Sequence, residues 1–114
     1  MLYLLGMVAE QIQEPIILHI ELENESILSW LTNNKFIVYS EIVRFSEILI
    51  KKNLEVVRAI IVANLLENVV FIIKRNDVNL TLEKAMGYFL GIEEYEQCAK
   101  IRELLILIGN NKKV

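Results

Sequence analysis

The feature that most constrains the fold of this chain is a predominantly apolar run over residues 53–75. The run opens on Asn53, whose side chain can cap a helix, and ends on two cations, which are favourable at a helix carboxyl terminus. This pattern predicts one central helix over residues 54–75, roughly 33 Å long at the rise of an α-helix. Its polar residues fall on one narrow stripe, so we expect most of the helix to be buried, with Leu65 in the core.

The other segments predict a mainly α-helical bundle around that central helix, in a single domain of residues 1–114. Within it we expect three parts: a mixed N-terminal region over 1–39, a helical core over 40–75 and a C-terminal helical hairpin over 81–108. A small two-stranded β element is also expected. Residues 16–22 alternate between apolar and polar side chains, and residues 35–39 are rich in β-branched and aromatic types. Whether these two strands pair is left open by the pattern.

Composition narrows the classes of partner. A net charge of -3 and a pI near 5.2 supply no basic surface for nucleic acid. The mean hydropathy of +0.41 is high for a small domain, so we expect apolar surface to be covered in a homo-oligomer or a complex. A membrane span is disfavoured, because an ionised residue such as Glu67 costs about 2.5–3.5 kcal/mol at the bilayer centre. The single cysteine, Cys98, cannot form an intrachain disulfide, which fits a cytoplasmic protein.

No catalytic constellation is recognisable in the sequence. His19 is the only histidine, which excludes a His-based triad or a multi-histidine metal site within one chain. His19, Glu21 and Glu23 would share one face of a strand, and a solvated face is a simpler interpretation of that pattern than a metal site. A glycine-rich phosphate loop and a nucleophile motif are absent. We therefore expect a protein that is not an enzyme and that holds no cofactor or metal.

The C-terminal hairpin carries one family resemblance, over residues 82–105, LEKAMGYFLGIEEYEQCAKIRELL. Its matches are a leading apolar pair, an aromatic–acid dipeptide and a closing aliphatic–Arg–acid triplet: Leu82 with Met86, Tyr95 with Glu96, and residues 101–103. On these residues the stretch resembles the UVR motif, a short helical hairpin of the B and C subunits of bacterial excision repair and of some Clp-associated regulators. Phe89 and Leu90 depart from that motif, which has small residues at their positions, and Leu104 replaces a polar residue of the motif.

The resemblance implies a protein–protein docking hairpin with no catalysis of its own. Tyr and Arg often carry binding energy at interfaces, and small residues such as Ala99 permit close helix approach. The expected partner-binding residues are Met86, Phe89, Tyr95, Glu96 and Arg102. The sequence thus predicts an adaptor or regulator that binds another protein. Two alternatives stay open: a structural subunit of a larger assembly, such as a phage or virus component, and a small membrane-associated protein.

Overall fold

A computed structural model of the protein describes residues 17–112. Three strands, four α-helices and one short 3-10 turn follow one another in this range: β1 (Leu18–Glu21), α1 (Ile27–Asn33), α2 (Lys35–Lys51), β2 (Val56–Ala63), β3 (Asn68–Lys74), the turn (Arg75–Asp77), α3 (Val78–Gly91) and α4 (Tyr95–Lys112). The fold is therefore mixed α and β, and the prediction of a mainly α-helical bundle is wrong. A short helix that the sequence predicts over residues 2–13 lies outside the described residues.

The predicted central helix over residues 54–75 is also wrong, because this stretch forms the antiparallel strands β2 and β3. Nine of the residues between Val56 and Ile73 are valine or isoleucine. Branching at Cβ restricts the side chain in a helix and favours a pleated strand. Asn64 and Glu67, which the helical interpretation placed on a polar stripe, instead close the turn between the strands. The helical core expected over residues 40–75 accordingly ends with α2.

The three strands form one sheet in the order β1-β2-β3. β1 runs parallel to β2, from Leu18 opposite Ile60 to Glu21 opposite Ala63. Parallel neighbours need a long crossover, which α1 and α2 supply. The second strand expected over residues 35–39 does not exist, because these residues begin α2.

Burial explains why α2 begins so early. Val38, Phe45 and Leu49 recur at helical spacing and all three are buried, so the apolar face of the helix extends back through residues 35–39. The preceding helix α1 begins at a conventional cap, where the Ser26 hydroxyl accepts the N–H of Ser29 at 3.0 Å.

The core lies between one face of the sheet and the helices packed on it. Its largest fully buried apolar side chains come from both layers: Val43, Phe45, Leu49, Ile60, Val62, Leu82, Phe89 and Ile101. Each of these contributes about 1.5–3 kcal/mol by leaving water. Along β3 the burial alternates, because Val70 and Ile72 are exposed while Phe71 is half-buried and Ile73 is buried. Within residues 17–112, α2 and α3 pack on the inner face, α1 packs against α2, and α4 packs against both α2 and α3. The outer face, with Val70 and Ile72, is exposed.

Candidate protein-binding surfaces

The helices α3 and α4 form a hairpin whose turn is fixed by backbone hydrogen bonds. The N–H of Glu94 donates to the carbonyl of Phe89 at 2.9 Å, and the N–H of Glu93 donates to the carbonyl of Leu90 at 3.1 Å. Glu93 adopts a φ of 62°, in the left-handed region, which reverses the chain direction within three residues. The two helices are thereby held as close neighbours, and α4 also packs against α2.

One face of α4 is exposed from Tyr95 to Ile106. Tyr95, Ala99, Arg102 and Ile106 follow one another at spacings of four, three and four residues, which places them on the same side of a helix. We call these four residues the α4 stripe. Tyr95 is 63% exposed and Ile106 is 58% exposed. The buried side of the same helix consists of Cys98, Ile101, Leu104 and Ile108.

The five residues expected to contact a partner lie in different environments. Tyr95 and Arg102 belong to the α4 stripe, and Glu96 is exposed next to Tyr95 on the same helix. Met86 is half-buried on α3, and it packs against the core cluster. Phe89 is fully buried. The structure thus brings three of the five residues onto one accessible helix and makes the fourth partly accessible. Phe89 belongs to the interior.

Phe89 lies in a cluster of aromatic rings that joins α2 to α3. Its ring meets those of Phe36 and Tyr88 edge to face, with centroids 5.8 and 5.2 Å apart. Tyr39 stacks on Tyr88 at 4.7 Å. Aromatic pairs of this kind add about 0.5–1.5 kcal/mol each beyond the burial of their area. The sequence pattern missed this cluster, because it assigned residues 35–39 to a strand.

A cluster of three charged residues, Glu47 and Lys51 of α2 and Lys100 of α4, lies at the surface where the two helices meet. The carboxylate of Glu47 accepts from the Lys51 ammonium at 2.7 Å and from the Lys100 ammonium at 2.9 Å. The hydrogen bond from Lys51, followed by that from Lys100, holds the pKa of Glu47 below its ordinary value. These groups line a shallow depression of about 490 Å³ between the two helices. The ion pair between Glu47 and Lys100 bridges the two helices here and helps to fix the position of α4.

The turn between β2 and β3 presents two leucines to solvent. Leu65 is 86% exposed and Leu66 is 94% exposed, so the expectation that Leu65 lies in the core is wrong. The Asn64 side-chain oxygen accepts the N–H groups of Leu66 and Glu67, both at 2.9 Å. The N–H of Asn64 donates to the carbonyl of Glu67, also at 2.9 Å. A hydrogen-bonded turn therefore holds both apolar side chains outward.

Further apolar side chains lie on the open face of the sheet. Val56, Val70 and Ile72 are exposed there. At the margin of this face, on β1, the imidazole of His19 lies 2.8 Å from a carboxylate oxygen of Glu21. Within residues 17–112, no three His, Cys, Asp or Glu side chains are grouped so that they could hold a metal ion.

Two apolar surfaces are thus open to contact, one on α4 and one on the β2–β3 hairpin. Comparison with protein-family models, curated proteins and solved structures finds no match to this chain. In the described part of the chain, no helix combines the length and apolar character needed to cross a membrane.

Proposed function

We propose that this is a non-enzymatic cytoplasmic protein that acts as an adaptor or regulator by binding another protein through the α4 stripe. The observation that carries the proposal is the alignment of Tyr95, Arg102 and Ile106 on one exposed face of a helix. The opposite face of that helix is anchored in the core. A helix that is already ordered loses little conformational entropy on binding, and Tyr and Arg are among the residue types that contribute most at interfaces.

The side chains around the stripe define the chemistry of the partner. Ala99 lies between the larger residues Tyr95 and Arg102, so a partner helix can approach the backbone of α4 closely at that point. Glu96 and Glu103 are exposed on the same helix. These acids favour a partner whose binding surface is apolar at its centre and basic at its rim, with a carboxylate opposite Arg102. The UVR resemblance supports the same surface, since its most specific half includes Tyr95 and Arg102.

A site-specific photocross-linking experiment tests this proposal. A benzophenone amino acid replaces Tyr95 in one variant and Leu28 of α1, which is at least as exposed as Tyr95, in the control. We expect a discrete cross-linked partner from position 95 and none from position 28. Equal cross-linking at the two positions would contradict the proposal, because it would indicate non-specific contact of exposed residues.

Substitutions then measure the contribution of the stripe with the purified partner. Arg102→Ala should weaken binding at least tenfold, about 1.4 kcal/mol, while the melting temperature stays within about 2 °C of the original. The matched control is Lys84→Ala, which removes an exposed cation from α3 and should leave binding unchanged. A large loss of stability with intact binding would instead assign Arg102 a structural role.

The exposed Leu65–Leu66 turn favours a second candidate function, that of a structural subunit in a larger assembly such as a phage or virus component. Permanent burial of both leucines against a neighbouring subunit would remove a large apolar area from water. Replacing both leucines by serine should then abolish assembly, measured by sedimentation, while partner binding through Arg102 persists. Unchanged assembly in this double variant would rule out the turn as a subunit contact.

A further inference from the structure

The outer edge of β3 is available for pairing with another strand. β3 is the last strand in the order β1-β2-β3, so only one of its edges faces β2. The N–H of Asn64 donates to the carbonyl of Glu67, so these two residues form a hydrogen-bonded pair. From this pair onward, successive residues of an antiparallel strand direct their backbone groups alternately toward the partner strand and away from it. Val69 and Phe71 therefore direct their backbone groups toward β2, and Val70 directs its groups outward. Among the described residues, no backbone group outside β2 hydrogen-bonds to the backbone of residues 68–73.

The sequence of β3 lacks the usual protection of a sheet edge. Natural edge strands are commonly very short or carry proline, central charges or a bulge, which prevents further pairing. β3 has seven residues, NVVFIIK, with a single charge at its end and no proline or glycine. The bulge in this hairpin lies in β2, between Arg58 and Ile60, and leaves the outer edge of β3 regular. The edge is thus a complete template for an additional strand.

The same strand is complementary to a second copy of itself. In an antiparallel pair with a two-fold axis at Phe71, each Val70 lies opposite Ile72 of the second copy, and each Asn68 lies opposite Lys74. Apolar residues then face apolar residues, and the terminal cation faces a neutral amide, so no like charges are opposed. All seven residues are paired in this register.

A depression next to Phe71 offers space for side chains from an added strand. A depression of about 260 Å³ lies where Phe71 of β3 meets the helices, and Leu31, Val38, Tyr39 and Ile42 complete its apolar lining. Phe71 is half-buried in the single chain. An added strand would place its own inward-facing side chains beside this groove while its backbone extends the sheet, as in recognition by strand addition.

We propose that the protein forms a symmetric homodimer in which the β3 strands of two copies pair antiparallel and create a continuous six-stranded sheet. The contact is isologous, so it closes at two subunits and does not propagate. It uses none of the residues of the α4 stripe, and each dimer therefore presents two copies of that stripe. An experiment can therefore disprove the homodimer without disproving partner binding through the α4 stripe, and the reverse.

Light scattering on dilution tests the dimer. The chain has a mass of 13.2 kDa, so we expect a species of twice that mass that dissociates on dilution. Val70→Pro removes the outward N–H without removing a bond to β2, and should raise the dimer dissociation constant at least tenfold. The matched control, Val70→Thr, keeps the N–H and the branched shape and should remain dimeric. Circular dichroism checks that both variants are folded.

Disulfide trapping supplies a test that does not depend on the proline variant folding. Phe71→Cys, in a Cys98→Ala background, places two thiols opposite each other at the two-fold axis, and oxidation should yield a covalent dimer. Val69→Cys is the control, since its two copies would lie about 14 Å apart at 3.4 Å per residue. A wild-type monomer at all concentrations would overturn the proposal. So would a dimer that persists in Val70→Pro and gives no cross-link at position 71. A monomer with exchange-protected outward amides would point instead to residues 1–16 of the same chain as the occupant of the edge.

Discussion

Replacement of Phe89 by alanine is the perturbation that best separates a core role from a partner-contact role. The side chain is fully buried and its ring lies in contact with the rings of Phe36, Tyr39 and Tyr88. Removing a buried phenylalanine costs about 3–5 kcal/mol, from the lost transfer free energy and the cavity that remains. The aromatic contacts place the expected loss in the upper half of that range. Small domains are stable by only about 5–15 kcal/mol, so much of the stability would be lost.

Urea denaturation followed by circular dichroism measures this loss. With an m value of about 1.5 kcal/mol/M, a loss of about 4–5 kcal/mol should lower the midpoint by about 3 M. Phe89→Leu retains much of the buried volume and should cost substantially less. Tyr95→Ala, at an exposed aromatic position of the same hairpin, should shift the free energy of unfolding by less than about 0.5 kcal/mol. A cost below about 1 kcal/mol for Phe89→Ala would refute the placement of this ring in the core.

Two other substitutions have definite expected outcomes. Leu65→Ala should change the free energy of unfolding by less than about 0.5 kcal/mol, because the side chain is exposed; a loss above about 2 kcal/mol in urea denaturation would contradict the β-turn. Glu47→Gln should cost about 0.2–1 kcal/mol near neutral pH. Since the folded state lowers the pKa of Glu47, the difference between wild type and variant should persist above the ordinary value of 4.5 and disappear as the pH falls through the lowered value. A difference that persists in acid would exclude the ion pairs as its source.

Local patterns predicted part of the fold correctly. The alternation over residues 16–22 predicted a strand, and β1 occupies Leu18–Glu21. Helical spacing identified apolar positions on both helices of the C-terminal hairpin, and Leu82, Ala85 and Phe89 are indeed buried on one face of α3. Phe89 shares this spacing with Leu82 and Ala85, so the pattern is consistent with its burial. The same apolar face can also be interpreted as a docking surface, and for that reason the sequence predicts a partner contact for Phe89.

The run over residues 53–75 shows why the periodicity of apolar residues did not predict the strands β2 and β3. A strand pair that is apolar on both faces and a buried helix both appear as an almost continuous apolar run, so the period does not distinguish them. The abundance of β-branched residues and the polar residue Asn64 in the middle of the run indicated two strands joined by a turn. The exposed leucines at that turn were missed for the same reason, because position 65 was placed on the inside of a helix.

The pairing of β1 with β2 also has a consequence for how the chain folds. The β2–β3 hairpin joins neighbouring segments and can form within about 1–10 μs, as can the local contacts of a helical hairpin. Leu18 must instead find Ile60, 42 residues away, which requires closure of a long loop. We expect the parallel pair to form late. During synthesis β1 leaves the ribosome well before its partner strand, so for several seconds at about 5–20 residues per second the apolar side chains Leu18 and Ile20 have no native neighbour on β2.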